Sequence, residues 1–197
     1  MMKACLKHWF KNLSGDDSED AVVQSWIEDY VRSETPFHLH VGENKGAGIG
    51  VMILDPQKRP ITAYSLYNYS SAFYNVLLGV NIALALAIKL KLVRISLLFP
   101  SDMVASSPGY GNDDKTYLLM VFTLSLLLDF YREGENVLDI AVVKASNRSA
   151  AYVAEHGNGK GKITLRKLLE NNELLSLLTE EADIQGAIMA STLEGQA

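Results

Sequence analysis

The sequence predicts an α/β fold in which a mixed β-sheet is flanked by helices. Short β-branched runs separated by turn residues lie between positions 37 and 67, which indicates a β-meander. A long apolar segment at 71–90 is followed directly by a β-branched and leucine-rich run at 92–99, the pattern of a helix leading into a strand. Beyond it, helical and strand patterns alternate, which is typical of α/β domains.

Each predicted element has a local cause. The acidic stretch SGDDSED supplies Asp and Ser side chains that can cap the first core helix. Pro36 separates that helix from the meander, the turn DPQKRP joins two strands, and Pro100 ends a fourth. The predicted elements are a helix at 21–32, strands at 37–41, 46–54 and 61–67, a helix at 71–90, a strand at 92–99, a short helix at 102–106, a helix at 115–131, a strand at 137–143, a helix from 147, a glycine-rich hinge at 157–162, a leucine-rich helix ending at 178 and a weaker segment at 184–189.

Composition limits the classes of function. With 197 residues, of which 48% are hydrophobic, the chain can bury the core of one main domain with extensions. Its net charge of -5 disfavours a protein whose main task is to bind a polyanion. Cys5 is the only cysteine, which excludes an intramolecular disulfide and a zinc site built from several cysteines. We expect no cofactor and an intracellular, cytoplasmic protein.

The N-terminal segment MMKACLKHWFKNL has the spacing of a basic amphipathic helix. This pattern allows a mitochondrial presequence or a membrane-surface helix, and a docking helix is the other interpretation. The absence of arginine favours docking. Two apolar segments, 72–88 and 117–128, are interpreted as core helices rather than membrane spans, because the first contains Asn75 and Asn81 and the second is too short.

Four segments resemble the ribonuclease H (RNase H) domains of plant LTR-retrotransposon polyproteins: VGENKGAGIGVMILDPQKRPI, SSAFYNVLLGVNIALALAIKLKLVRISL, PSDMV and NRSAAYVA. The resemblance covers about residues 21–157. It implies a retroelement origin and an RNase H-like, five-stranded mixed sheet flanked by helices, with N- and C-terminal helical extensions. The corresponding division is an N-terminal helical extension and linker at 1–36, the RNase H-like domain at 37–157, and a hinge with a C-terminal helical extension at 158–197.

The resemblance also locates the catalytic positions. RNase H chemistry needs four carboxylates, because two magnesium ions must be held a few Å apart. In this sequence the four positions hold residues without a side-chain oxygen: Val41, Phe73, Pro100 and Ala151. The resemblance therefore implies a degenerate site without metal. The alternative is a divergent metal-dependent nuclease that uses nearby carboxylates, namely Glu43, Asp102 and Asp139.

Other candidate chemistry is weaker. GAGIG at 46–50 lies within a hairpin strand, so its glycines are predicted to allow close helix packing rather than to bind a dinucleotide. His38 and His40 share one face of a strand and together with His156 are possible metal ligands, although strand histidines are more often ordinary residues. GNGKGK is interpreted as a linker.

The helix at 115–131 carries no charge between Lys115 and Asp129, so its apolar residues cannot all be covered by one sheet. We predict a partner-binding surface at Phe73, Tyr117, Leu118, Met120, Val121, Leu124 and Leu127. The partner is another protein or a second copy of the chain, as in a dimer; cover by the terminal helices in cis is the alternative. The leading hypothesis is thus an inactive interaction or regulatory module. A non-catalytic nucleic-acid binder is disfavoured by the charge balance.

Overall fold

A computed structural model describes residues 17–30, 34–44, 48–68, 70–100, 114–132, 136–143, 147–157, 159 and 161–182. The helices are α1 (Asp17–Tyr30), α2 (Ala72–Lys89), α3 (Asp114–Tyr131), α4 (Arg148–His156), α5 (Leu165–Leu169) and α6 (172–182). The strands are β1 (Phe37–Asn44), β2 (Gly48–Leu54), β3 (Pro60–Tyr67), β4 (Arg94–Pro100), β5 (Val137–Val143) and β6 (Gly161–Ile163). The predicted N-terminal basic helix, the short helix at 102–106 and the segment at 184–189 lie outside the described residues.

The strands form one mixed sheet in the order β5-β4-β1-β2-β3-β6. The first three strands form the predicted antiparallel meander, whereas β4 and β5 run parallel to β1. The predicted class, a mixed sheet flanked by helices, is confirmed. The sheet has six strands where five were expected, because residues 161–163, at and just beyond the end of the predicted hinge, pair with the outer edge of β3. Without β6, the outer edge of β3 would carry unpaired backbone N–H and C=O groups. Pairing with β6 supplies hydrogen-bond partners for part of that edge.

α4 packs directly on β1 and β2. A Cβ atom added to Gly50 would lie 1.9 Å from the Ala150 carbonyl oxygen, and one added to Gly42 would lie 2.5 Å from the Ala151 nitrogen. No larger residue fits at either position unless the helix moves. The prediction that the glycines of GAGIG allow close helix packing is therefore confirmed at Gly50.

α2 lies between the sheet and α3. Ser71 caps its first turn by accepting a hydrogen bond from the Tyr74 nitrogen at 3.2 Å. The fully buried Asn81 donates to the Leu77 carbonyl at 2.8 Å and to the Thr123 hydroxyl at 2.9 Å, which joins α2 to α3. In the part of the chain that is described, α2 alone is long and apolar enough to cross a membrane, but most of it is buried inside the protein. Its apolar character on all sides follows from this central place.

Candidate functional site

The candidate site lies where the parallel strands β1 and β4 end next to α4. Val41 of β1 is 0% exposed, and a Cβ atom added to Gly79 of α2 would lie 2.5 Å from its Cγ1 atom. Hydrocarbon therefore fills the space between β1 and α2. On the opposite side of β1, the backbone of Ala151 lies against Gly42.

The other two implied catalytic positions, Pro100 and Phe73, lie in β4 and α2. His40 pairs with Leu98 in the parallel β1–β4 ladder, so Pro100 lies two residues further along, level with Gly42. Phe73 lies in the first turn of α2 and is half-buried. The structure thus places Val41, Pro100 and Ala151 at the same end of the sheet, with Val41 and Ala151 on opposite faces of β1.

Asn147 closes this end of the sheet. Its side-chain amide donates hydrogen bonds to the carbonyl oxygens of Val41 and Leu98, both at 2.9 Å, and the residue is 5% exposed. Although Asn147 immediately precedes α4, its side chain makes no capping hydrogen bond with that helix. One side chain therefore ties the start of α4 to two strands. The motif NRSAAYVA contained this residue, but sequence reasoning assigned it no role.

The first turn of α4 receives its cap from α6. The Glu181 carboxylate accepts hydrogen bonds from the Ser149 nitrogen at 3.0 Å and from the Ser149 hydroxyl at 2.6 Å. An anion at the N-terminus of a helix is stabilised by the free N–H groups and by the helix dipole. Arg148 and Glu180 add an exposed ion pair at 2.8 Å. Glu181 was also missed by sequence reasoning, since no local pattern links it to Ser149.

His40 is buried beside this carboxylate. Its Nδ1 atom lies 3.8 Å from a Glu181 oxygen, and neither ring nitrogen makes a hydrogen bond in the described structure. Burial, followed by the nearby His38 and Lys58, lowers the pKa of His40 to about 3. Close approach to Glu181 would favour the charged imidazole, but the cost of burying that charge is larger. His40 is therefore neutral at pH 7, and its contact with Glu181 is not an ion pair there.

His38 behaves in the same way. Burial and the Lys58 charge lower its pKa to about 4, and the opposite effect of Asp55 is smaller. His156 lies at the far end of α4, where its ring stacks on Tyr152 at 4.1 Å. Within the described ranges no three histidine, cysteine or acidic side chains cluster as metal ligands do. The three histidines are not gathered into one site.

The alternative carboxylates are dispersed as well. Glu43 lies near the end of β1 and is half-buried. Asp139 pairs with Ser96, which itself pairs with His38, so it lies five residue levels before Glu43. At about 3.3 Å per residue, this separation is roughly 17 Å along the strands. Asp102 lies outside the described residues.

The predicted partner-binding surface is largely exposed on α3. The exposed side chains are Tyr117 (62%), Leu118 (64%), Met120 (45%), Leu124 (61%), Leu128 (69%) and Tyr131 (50%). Val121, Leu127 and Phe73 from the predicted set are half-buried. The exposure of Leu128 and Tyr131 was not predicted. The sequence does contain a signal for it, because apolar residues recur at alternating intervals of four and three residues from Tyr117 to Tyr131.

Comparisons with known proteins place no residue roles on the chain. No family model and no curated protein matches it. Among solved structures, RNase H1 from the archaeon Halobacterium salinarum NRC-1 is 14% identical, with 58% of this chain and 89% of that chain covered and a TM-score of 0.44. The N-terminal RNase H domain of rv2228c from Mycobacterium tuberculosis, solved as a fusion with maltose binding protein, is 14% identical, with 63% and 96% covered and a TM-score of 0.46.

Proposed function

We propose that this chain is a catalytically inactive protein with an RNase H-like fold and that it works as a protein-interaction or regulatory module. The observation that carries the proposal is the packing at Val41. Its side chain is fully buried against Gly79, at the place where the resemblance puts the first metal-binding carboxylate. Magnesium requires about six oxygen ligands in near-octahedral geometry, and this hydrocarbon supplies none.

The backbone oxygens at this end of the sheet are also occupied. The carbonyl groups of Val41 and Leu98 both accept hydrogen bonds from Asn147. The amide that faces them is a hydrogen-bond donor, which attracts oxygen and repels a cation. A magnesium ion would have to displace this donor as well as the Val41 side chain. The proposed inactivity therefore depends on both the packing and the polarity of the site.

The interaction role is supported by α3. Exposed apolar side chains follow one another along this helix, from Tyr117 at 62% exposure to Leu128 at 69%. Contiguous apolar surface of this kind is typical of protein–protein contacts rather than of free surface. The retroelement origin remains a prediction from the sequence resemblance, and nothing in the proposed role depends on it.

A cleavage assay tests the catalytic part of the proposal. The full chain is incubated with a labelled RNA/DNA hybrid in magnesium and, separately, in manganese, beside an active RNase H as positive control. We expect no cleavage above background, because the described residues gather no set of carboxylates at the site. Cleavage that persists in the purified chain and disappears in the Asp102→Asn variant would replace this proposal by the divergent-nuclease alternative. Glu43→Gln and Asp139→Asn variants would then identify the remaining ligands.

A further inference from the structure

We infer that the exposed face of α3 binds a second copy of this chain, with the two α3 helices antiparallel. This inference rests on the proposed interaction role and specifies its partner. The contact is made by the α3 seam, defined as Tyr117, Val121, Leu124, Leu128 and Tyr131. These residues follow one another at intervals of four, three, four and three. That spacing keeps apolar residues on one side of a helix, as at the seam of a two-helix coiled coil.

The rotation of α3 about its axis makes the seam available. Leu126 and Phe130 are buried, and Thr123 is joined to Asn81 of α2 by a hydrogen bond of 2.9 Å. At 3.6 residues per turn, these contacts lie on the side opposite Leu124 and Leu128. The seam therefore points away from the rest of the described protein.

The exposed area suits a stable dimer. Six large apolar side chains of α3 are between 45% and 69% exposed. If each has about 200 Å² of surface, they present roughly 700 Å² per copy, or roughly 1,400 Å² for two copies. Specific protein interfaces usually bury about 1,200–2,000 Å² in total. The α3 seam and its flanking side chains thus reach that range without a contribution from another element.

The charges at the ends of α3 determine the orientation. Asp114 and Arg132 are 18 residues apart, which is about five helical turns, so they lie on the same flank of the seam. In an antiparallel pair Asp114 lies beside Arg132 of the other copy, and this contact occurs twice. In a parallel pair Asp114 and Arg132 of the two copies would lie at opposite ends of the interface, roughly 27 Å apart, and could not meet. Arg132 is 83% exposed and contacts Asp129 at 3.5 Å, so it can turn towards a new partner at little cost.

A register one residue away, a shift of about 1.5 Å that the long Arg132 side chain can span, interleaves the apolar residues. It places Tyr117 opposite Leu128 of the other copy and Val121 opposite Leu124. Four of the five seam residues therefore meet another seam residue across the interface, and Tyr131 lies opposite Asp114. This alternation is the knobs-into-holes pattern of antiparallel coiled coils.

The oligomeric state of the full chain is the first test. Light scattering or sedimentation at tens of micromolar is expected to show a dimer, and Leu124→Asp is expected to convert it into a monomer with an unchanged circular dichroism spectrum. Leu169→Asp is the matched control. Leu169 is 44% exposed on α5, away from the seam, so this variant should remain dimeric. A monomeric parent chain, or a dimer that survives Leu124→Asp, overturns the inference.

Cysteine pairing tests the orientation. In a Cys5→Ser background, Tyr117→Cys and Leu128→Cys variants are oxidised separately and as a refolded mixture. We expect a disulfide-linked dimer in the mixture alone, because equal positions in the antiparallel pair are about 16 Å apart along the axis. A disulfide needs Cα atoms within about 7 Å. Linkage of either variant to itself would show a parallel pair and overturn the orientation.

The outcomes separate this inference from the proposed function. A monomer that does not cleave the hybrid overturns the dimer and leaves the proposed inactivity in place. A dimer that cleaves the hybrid overturns the inactivity and leaves the dimer in place. If the parent is monomeric and Leu124→Asp lowers its stability, another part of the same chain covers the α3 seam, and the second copy is excluded as its occupant.

Discussion

The hydrogen bonds of Asn147 give the sharpest test of how the end of the sheet is held closed. Asn147→Ala removes two bonds of 2.9 Å, to the carbonyl oxygens of Val41 and Leu98. Each such bond contributes about 1 kcal/mol, and a buried carbonyl left without a donor costs about 1–3 kcal/mol more. Because water can reach part of the space left by the side chain, we expect a total loss of about 2–4 kcal/mol in the free energy of unfolding.

Urea unfolding followed by circular dichroism measures this loss, with the parent chain unfolded under the same conditions. Asn147→Asp is a matched variant, since it keeps the shape of the side chain but cannot donate a hydrogen bond when ionised. It should be at least as destabilising as alanine at pH 7 and less so near pH 4.5, where the buried carboxyl is protonated more often. A loss below about 0.5 kcal/mol for Asn147→Ala would refute the role assigned to these bonds, since that is less than one typical hydrogen bond contributes.

Three further substitutions probe the neighbouring contacts. Gly79→Ala should lower the free energy of unfolding by about 1–3 kcal/mol, because the added methyl group overpacks against Val41. The loss should be clearly smaller in a Val41→Ala background, and urea unfolding of both backgrounds measures it. Equal losses would contradict the contact between residues 79 and 41. The pKa of His40 is about 3 in the folded chain and about 6.5 in the unfolded chain, so below pH 6.5 the unfolded chain binds a proton that the folded chain does not. The contribution of neutral His40 to stability is therefore fully present above about pH 6.5. It is lost as the pH falls towards 3, by up to about 1.4 kcal/mol per pH unit. His40→Gln should flatten this dependence in urea titrations between pH 4.5 and 7.5, and an unchanged slope would contradict it. Glu181→Gln should weaken the two hydrogen bonds from Ser149 by about 1–2 kcal/mol in total, because a neutral amide is a weaker acceptor than a carboxylate. The loss should appear as faster amide hydrogen exchange in α6. Unchanged exchange would show that other contacts hold α6 in place.

Local sequence patterns predicted most of the core elements. The helix expected at 71–90 is α2 (Ala72–Lys89), and the three strands of the meander were placed within a few residues of their bounds. Hydrophobic periodicity, turn residues and prolines act over short distances, which is why they sufficed. β6 was not predicted, because its partner in β3 lies almost 100 residues earlier and GKI alone has no strand pattern.

The polar contacts of the candidate site could not be predicted from the sequence either, because they join residues that are far apart in the chain. Asn147 and Val41 are 106 positions apart, and Ser149 and Glu181 are 32 apart. Nothing in the local sequence distinguishes these residues from a cap or from a solvent-exposed charge. The apolar residue at position 41 was visible in the sequence, but its close contact with Gly79 depends on how α2 lies on the sheet.

The exposed face of α3 was predicted only in part because this helix is apolar on several sides. A helix with a distinct polar face shows from its sequence which side is buried. In α3 the choice depends on Thr123, which bonds Asn81 of α2 and so directs Leu124 and Leu128 outwards. That is why Leu127 was expected on the surface and is half-buried, while Leu128 was missed and is 69% exposed.

One turn of α2 connects the candidate site with the α3 seam. Gly79 faces Val41 of the sheet, and Asn81 bonds Thr123 of α3. Two residues correspond to about 200° around a helix, so these contacts lie on opposite sides of α2. Because interiors are close-packed, a side chain that pushes α2 away from Val41 also displaces α3. We therefore expect Gly79→Ala to weaken self-association of α3 as well as folding, although Gly79 lies far from the seam in sequence and on the opposite side of α2.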